Sequence, residues 1–166
     1  PAFFRRQRQM CIRDSHMVPS MELLHSIVGG EDKWRARPCV SNSNWFVVPP
    51  LRFATESCLV MEAAVHAGMP VLLLSAGQAG ATAPASIAGA VAQALAEVIA
   101  GLIYVNAMKP GYPCICGTWP FVSDLRTGAM SGGSGEQGRL TAACAQMLKY
   151  YDLPGGAAAG MADSKM

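Results

Sequence analysis

Residues 70–74 read PVLLL and run directly into SAGQAGATAPASIAGAVAQALAEVIAG over 75–101, and this junction decides the fold. An unbroken apolar run between Gly68 and Ser75 has the character of a strand covered on both faces. A loop of small residues follows to Pro84, and then an alanine-rich helix from about 85 to 106. Strand, loop and long helix together make half of a β/α/β unit, so the flanking sequence has to supply further strands.

It does so on both sides. Upstream, Thr55 caps a helix over 55–67 with Glu56 in its first turn, closed by Gly68. Before it, 38–48 is β-rich at both ends around the polar SNSN of 41–44, and Pro49 and Pro50 stop it. Earlier still lie a short amphipathic helix over 21–28, ended by Gly29 and Gly30, and a charged connector over 31–37. Downstream come a turn at 109–112, a third strand at 113–117, a glycine-rich loop, a helix over 136–151, and a short fourth strand around 156–160 after Pro154.

Strands starting near 38, 70, 113 and 156 alternate with helices, which predicts an α/β fold of about four parallel β/α units with right-handed crossovers. An open doubly wound sheet and a partial (β/α)8 TIM barrel both satisfy the pattern. A complete barrel takes about 250 residues, more than the 166 present.

Composition narrows the class. With 51% apolar and 14% charged residues the chain can build one core. Its net charge of +2 is supplied by Arg5, Arg6, Arg8 and Arg13 near the amino terminus, so no basic face for nucleic acid is expected. Residues 1–16 lack apolar periodicity and are read as a leader foreign to the fold, with 17–166 as the folded segment. The apolar stretch 86–108 contains Gln93, Glu97 and Asn106, which argues for a helix packed on a sheet in a soluble, cytoplasmic protein rather than a membrane span. Six cysteines without CxxC spacing read as buried thiols, and no metal site is expected.

In either α/β architecture functional groups gather at the carboxyl ends of the strands. That rule selects Ser41 to Asn44, then Ser75 and Gln78, then Thr118, Trp119, Phe121 and Asp124, and finally Asp163, Ser164 and Lys165. Trp119 and Phe121 with Asp124 and Glu136 have the composition of a site for a methylated ammonium group, where aromatic faces attract the cation and a carboxylate supplies countercharge. Trp45 and Phe46 extend the same set. The loop GAMSGGSG over 128–135, with Ser131, Gly132 and Gly133, precedes a helix and suits close approach of a ligand to backbone N–H groups. A phosphate- or nucleotide-binding α/β enzyme is the rival reading of that loop, although GxxxxGK[ST] is absent and Glu136 competes with an anion for the helix dipole. His25 and His66 lie in predicted helices away from the strand ends, and GxSxG is absent, so hydrolase chemistry is not indicated. Gln93 and Glu97, four apart, read as a polar stripe on an apolar helix.

The stretch GTWPFVSDLRTGAMSGGSGEQGRLTAACAQMLKYYDLPGGAAAGMADSK over 117–165, together with 75–101, resembles the trimethylamine methyltransferase family, and the resemblance extends over roughly 21–166. It implies a partial TIM barrel and transfer of a methyl group from trimethylamine or a betaine-type quaternary amine to the cobalt of a corrinoid carried by a partner protein. With that activity, the substrate-binding candidates are the strand-end and loop residues Trp119, Phe121, Asp124, Ser131, Gly132, Gly133, Glu136, Gln78 and Asp163, and the resemblance implies no cofactor held tightly by this chain. Catalytic residues remain unassigned, and a homo-oligomer is compatible with the resemblance. Pyrrolysine, known in the trimethylamine branch, occurs at no position here, which tilts the donor toward a betaine, while a pyrrolysine position beyond Met166 keeps trimethylamine open. An inactive partial domain with exposed sheet edges is the third reading.

Overall fold

Four parallel strands form the central sheet, and each pairs with the next in chain order: β1 (Asn42–Asn44), β4 (Val71–Ser75), β6 (Cys114–Thr118) and β8 (Gly155–Ala157). The structure is a computed structural model that describes residues 14–129 and 132–157. Helices α3 (Thr55–His66), α4 (Ile87–Met108) and α5 (Gly135–Tyr150) make the three crossovers; Thr55 does not cap α3 as expected but is its first helical residue, with Ala54 at the cap and no side-chain bond there. The strand order advances in one direction, and α3 packs on α4 and α4 on α5, which puts all three helices on one face.

Register shows what each face carries, because paired residues in neighbouring strands project to the same side. Asn44, Leu73 and Cys116 form one row and Ser75 and Thr118 the next, and both rows face the helices. Asn44 reaches α3 by donating from Nδ2 to the Ser57 carbonyl at 3.0 Å, and Ser75 reaches α4 by donating from Oγ to Glu97 at 2.5 Å. The opposite face carries Leu72 beside Ile115 and Leu74 beside Gly117. Leu74 is buried there, whereas Ile115 is 40% exposed, so the apolar run of β4 is covered fully on the helix side and only partly on the other. Gly117 is required at its position: a Cβ would stand 2.5 Å from Leu74 Cδ2 and 3.0 Å from the Leu73 carbonyl oxygen.

The first expected strand, over 38–48, is shorter than its β-rich ends imply. Only Asn42–Asn44 joins the sheet, and Val47–Val48 (β2) instead pairs antiparallel with Arg52–Phe53 (β3) around the Pro49–Pro50 turn, where Leu51 takes a φ of 51°. The polar residues stay in the sheet because Asn42 and Asn44 bond to each other at 3.1 Å beneath α3. Two further short strands, β5 (Gln78–Ala79) and β7 (Phe121–Val122), pair in parallel beyond the ends of β4 and β6. The fourth strand begins at Gly155, and the remainder of the expected 156–160 lies outside the described residues.

Two differences concern the amino-terminal part. Helix α1 spans Asp14–Val28, longer than the expected 21–28, and Met17 and Met21 on it are buried in the core. It begins inside the 1–16 region read as a leader, whose residues 1–13 lie outside the described residues. The charged connector over 31–37 is a short helix, α2 (Glu31–Ala36), because Trp34 is completely buried and donates Nε1–H to the Ala67 carbonyl at 3.0 Å. Glu31 and Arg35 pair on its outer side at 2.7 Å, which holds the Glu31 carboxyl below the usual carboxylate range. Trp34→Phe should therefore lower stability by about 1 to 2 kcal/mol through the unpartnered Ala67 carbonyl and lost ring contacts, read as a melting temperature several degrees lower.

Helix α4 has the length and mean hydropathy of a membrane span, yet 39% of its most apolar window is buried within the fold, where it packs on β4, β6 and α5. Cys114, Cys116 and Cys144 are buried thiols as expected, whereas Cys58 is half-buried and Cys39 exposed, and Cys11 lies outside the described residues. Burial, reinforced by Cys116, pushes Cys114 up to about 11.

Candidate functional site

The loops leaving the carboxyl ends of β1, β4 and β6 converge, and two tryptophans meet there. Trp45, next after β1, and Trp119, next after β6, pack edge to face with ring centroids 5.7 Å apart and planes at 78°. Trp45 is 47% exposed, so part of the pair remains open to solvent. Trp119 is fixed by its backbone N–H, which donates to the Ser75 carbonyl at 2.8 Å. Phe46, offered beside Trp45 from the sequence, does not join the rim; it is completely buried between α4 and Phe53, whose ring centroid lies 5.4 Å away.

The β5–β7 pair forms a second shelf at the same end. Gln78 and Phe121 are register partners, and the Gln78 side-chain oxygen accepts from Ser123 Oγ at 3.2 Å. The Gln78 carbonyl accepts the N–H groups of Ala81, Thr82 and Ala83 within 2.9 to 3.0 Å, which folds the small-residue loop tightly onto the shelf. Glu136, exposed in the first turn of α5, lines a cavity of about 130 Å³ together with Ala79, Val122, Ser123 and Leu125.

Asp124 is engaged in its own loop. Its Oδ1 accepts the Arg126 N–H at 2.9 Å, and its carbonyl accepts from Gly128 at 2.7 Å. The Arg126 backbone bond, followed by the Thr127 hydroxyl, holds the Asp124 carboxyl below the usual carboxylate range. Gly133 takes a φ of 80° just before Ser134, whose Oγ accepts the Gln137 N–H at 3.2 Å and caps α5. A helix amino terminus already capped by Ser134 and carrying Glu136 is a poor phosphate cradle, which weighs against the phosphate reading of 128–135. Ser131 and Asp163 lie outside the described residues, as do Ser164 and Lys165.

Two residues at this end were given no part in a site from sequence. Gln137, buried, donates Nε2–H to the Pro120 carbonyl at 2.7 Å and so ties α5 to the Trp119 loop. Glu97 is completely buried, so the polar stripe read for Gln93 and Glu97 turns into the fold. It accepts from Ser75 Oγ at 2.5 Å and from Leu51 N–H and Gln93 Nε2 at 3.0 Å each. An otherwise apolar helix carrying one carboxylate level with the end of a strand was the available signal.

A family model described as trimethylamine methyltransferase (MTTB) matches residues 6–166. The chain belongs to the trimethylamine methyltransferase family. Its relatives in this family include the glycine betaine methyltransferase of Desulfitobacterium hafniense strain Y51, 35% identical over 147 residues that make up 88% of this chain and 30% of the relative. The trimethylamine methyltransferase MttB of D. hafniense strain DSM 10664 / DCB-2 is 32% identical over 146 residues, 88% of this chain and 29% of that protein. MttB2 of Methanosarcina mazei is 31% identical over 151 residues, 91% of this chain and 30% of that protein. The chain thus spans about three tenths of the length of these methyltransferase relatives, and the segment matched by the family model contains every strand and helix of the described fold.

Proposed function

We propose that this chain is a segment of a corrinoid-dependent methyltransferase whose methyl donor is a betaine-type quaternary amine, or trimethylamine, and that its β/α units belong to a (β/α)8 barrel. Strands that advance in one direction with the helices on one face support the barrel reading. The family supports methyl transfer, and the observation that carries the donor site is the Trp45–Trp119 pair at the carboxyl ends of the strands.

A methylated ammonium group offers few hydrogen bonds, so it is recognised by aromatic faces and a countercharge. Trp45 and Trp119 supply the faces in this reading. Glu136, beside the β5–β7 shelf, supplies negative charge that is not committed to its own loop, and Asp124 adds a second carboxylate nearby in sequence. Gln78, Phe121, Gly132 and Gly133 line the approach, with Ser131 and Asp163 completing the set carried over from the sequence. The acceptor is cobalt(I) of a corrinoid on a separate protein, which supplies the electron pair for the new bond to carbon while the C–N pair leaves with nitrogen. A quaternary donor leaves as a neutral amine, so this chain needs no general acid; its residues hold the cation, exclude water and aim one methyl outward.

Desolvated cation–π contact is worth on the order of 2 kcal/mol, so Trp119→Ala should weaken glycine betaine or trimethylamine binding roughly thirtyfold by calorimetry. Asp124→Asn, measured alongside, tests the countercharge separately. Methyl transfer to cob(I)alamin should fall with affinity; unchanged binding and rate in both variants would remove these residues from the site.

A further inference from the structure

Helix α4 carries a single acidic side chain, and it is buried in full. A carboxylate taken out of water is tolerated only where hydrogen bonds replace its hydration, and the three donors to Glu97 are all neutral. Each leads to a loop at the carboxyl ends of the strands. Leu51 lies in the β2–β3 turn, Ser75 ends β4, and Gln93 passes the link on by donating to the Thr82 carbonyl at 2.9 Å.

Two of these links continue to the tryptophans. Ser75, held through its hydroxyl by Glu97, accepts the Trp119 N–H through its carbonyl. Leu51, held through its N–H, belongs to the turn that returns to Phe46, where the Ala54 N–H donates to the Phe46 carbonyl at 2.8 Å. Phe46 is seated on Gly101, one helical turn beyond Glu97, and Trp45 precedes it directly. The backbones carrying both rings are therefore referenced to one turn of α4.

We propose that Glu97 is a positioning residue whose carboxylate, through Ser75 and Leu51, sets the separation and tilt of the Trp45–Trp119 pair. Its consequence for substrate rests on the function proposed above; its consequence for the rings does not. Two coupled indoles give a couplet in ultraviolet circular dichroism, assigned here by its loss in Trp45→Phe and in Trp119→Phe. Glu97→Gln keeps shape but replaces one acceptor oxygen by a donor, and Ser75→Ala cuts only the link to Trp119. Both should reduce the couplet at least twofold, and glycine betaine should bind roughly tenfold more weakly. Val98→Ala, on the same helix but outside the network, should lower stability and leave the couplet intact. Should Glu97→Gln fail to fold, Ser75→Ala alone decides. A couplet unchanged in Ser75→Ala, or reduced equally in Val98→Ala, overturns the proposal; a reduced couplet with unchanged betaine affinity upholds the positioning and contradicts the substrate site instead.

Discussion

Gly101→Val should destabilise the protein by at least about 3 kcal/mol, seen as a lower urea midpoint at unchanged slope. A Cβ at this position would stand 2.3 Å from Phe46 Cζ and 2.9 Å from both Cε atoms. Phe46 cannot retreat, because it is fully buried and Phe53 packs edge-on against it. Relief requires either moving α4 off the sheet or expelling the ring, and both expose core. Gly138→Ala is the matched control: it lies within α5 with nothing within 4 Å of an added Cβ, so it should stabilise by about 0.5 to 1 kcal/mol. A small loss for Gly101→Val would mean that Phe46 does not occupy this seat.

Glu97→Ala should cost about 3 kcal/mol or more, because it strands the Ser75 hydroxyl, the Leu51 N–H and the Gln93 amide and leaves a void. The same denaturation measurement reads it. A loss below about 1 kcal/mol would show that the three donors find other partners and that the carboxylate is not the node of the network.

The parts of this fold that were legible are those in which chemistry alternates along the chain. PVLLL became β4 and the helices over 55–67, 85–106 and 136–151 formed close to where they were read, because strand and helix signals there act over a few residues; the cap expected of Thr55 did not form. The first strand was legible only in location. Its paired residues are the polar ones, and the Asn44 amide is held by the Ser57 carbonyl, thirteen residues away on α3, so an apolar strand rule marks the wrong ends of 38–48. Trp34 was hidden in the same way, one buried ring among charged neighbours, held by a carbonyl thirty-three residues distant.

The candidate site shows the same division. Trp119, Gln78 and Phe121 could be assigned to strand ends from sequence, because each follows a predicted strand closely. Pairing Trp119 with Trp45, and separating Trp45 from Phe46, required the topology that brings β1 and β6 loops together. Glu97 was the least legible residue, since a Gln–Glu pair four apart marks a polar stripe on an apolar helix without saying what it faces. Its partners Ser75 and Leu51 lie twenty-two and forty-six residues away.

If Trp45 and Trp119 hold a methylated cation, charge is the variable that isolates their contribution. Glycine betaine and 3,3-dimethylbutanoate share shape and carboxylate but differ in one atom, the cationic nitrogen against a neutral carbon. Titrating both while following the indole N–H resonances should show glycine betaine binding roughly thirtyfold more tightly, shifting Trp45 and Trp119 and leaving the buried Trp34 in place. Equal affinity for the two compounds, or binding that leaves the Trp45 and Trp119 resonances unmoved, would rule out a cation site at this pair.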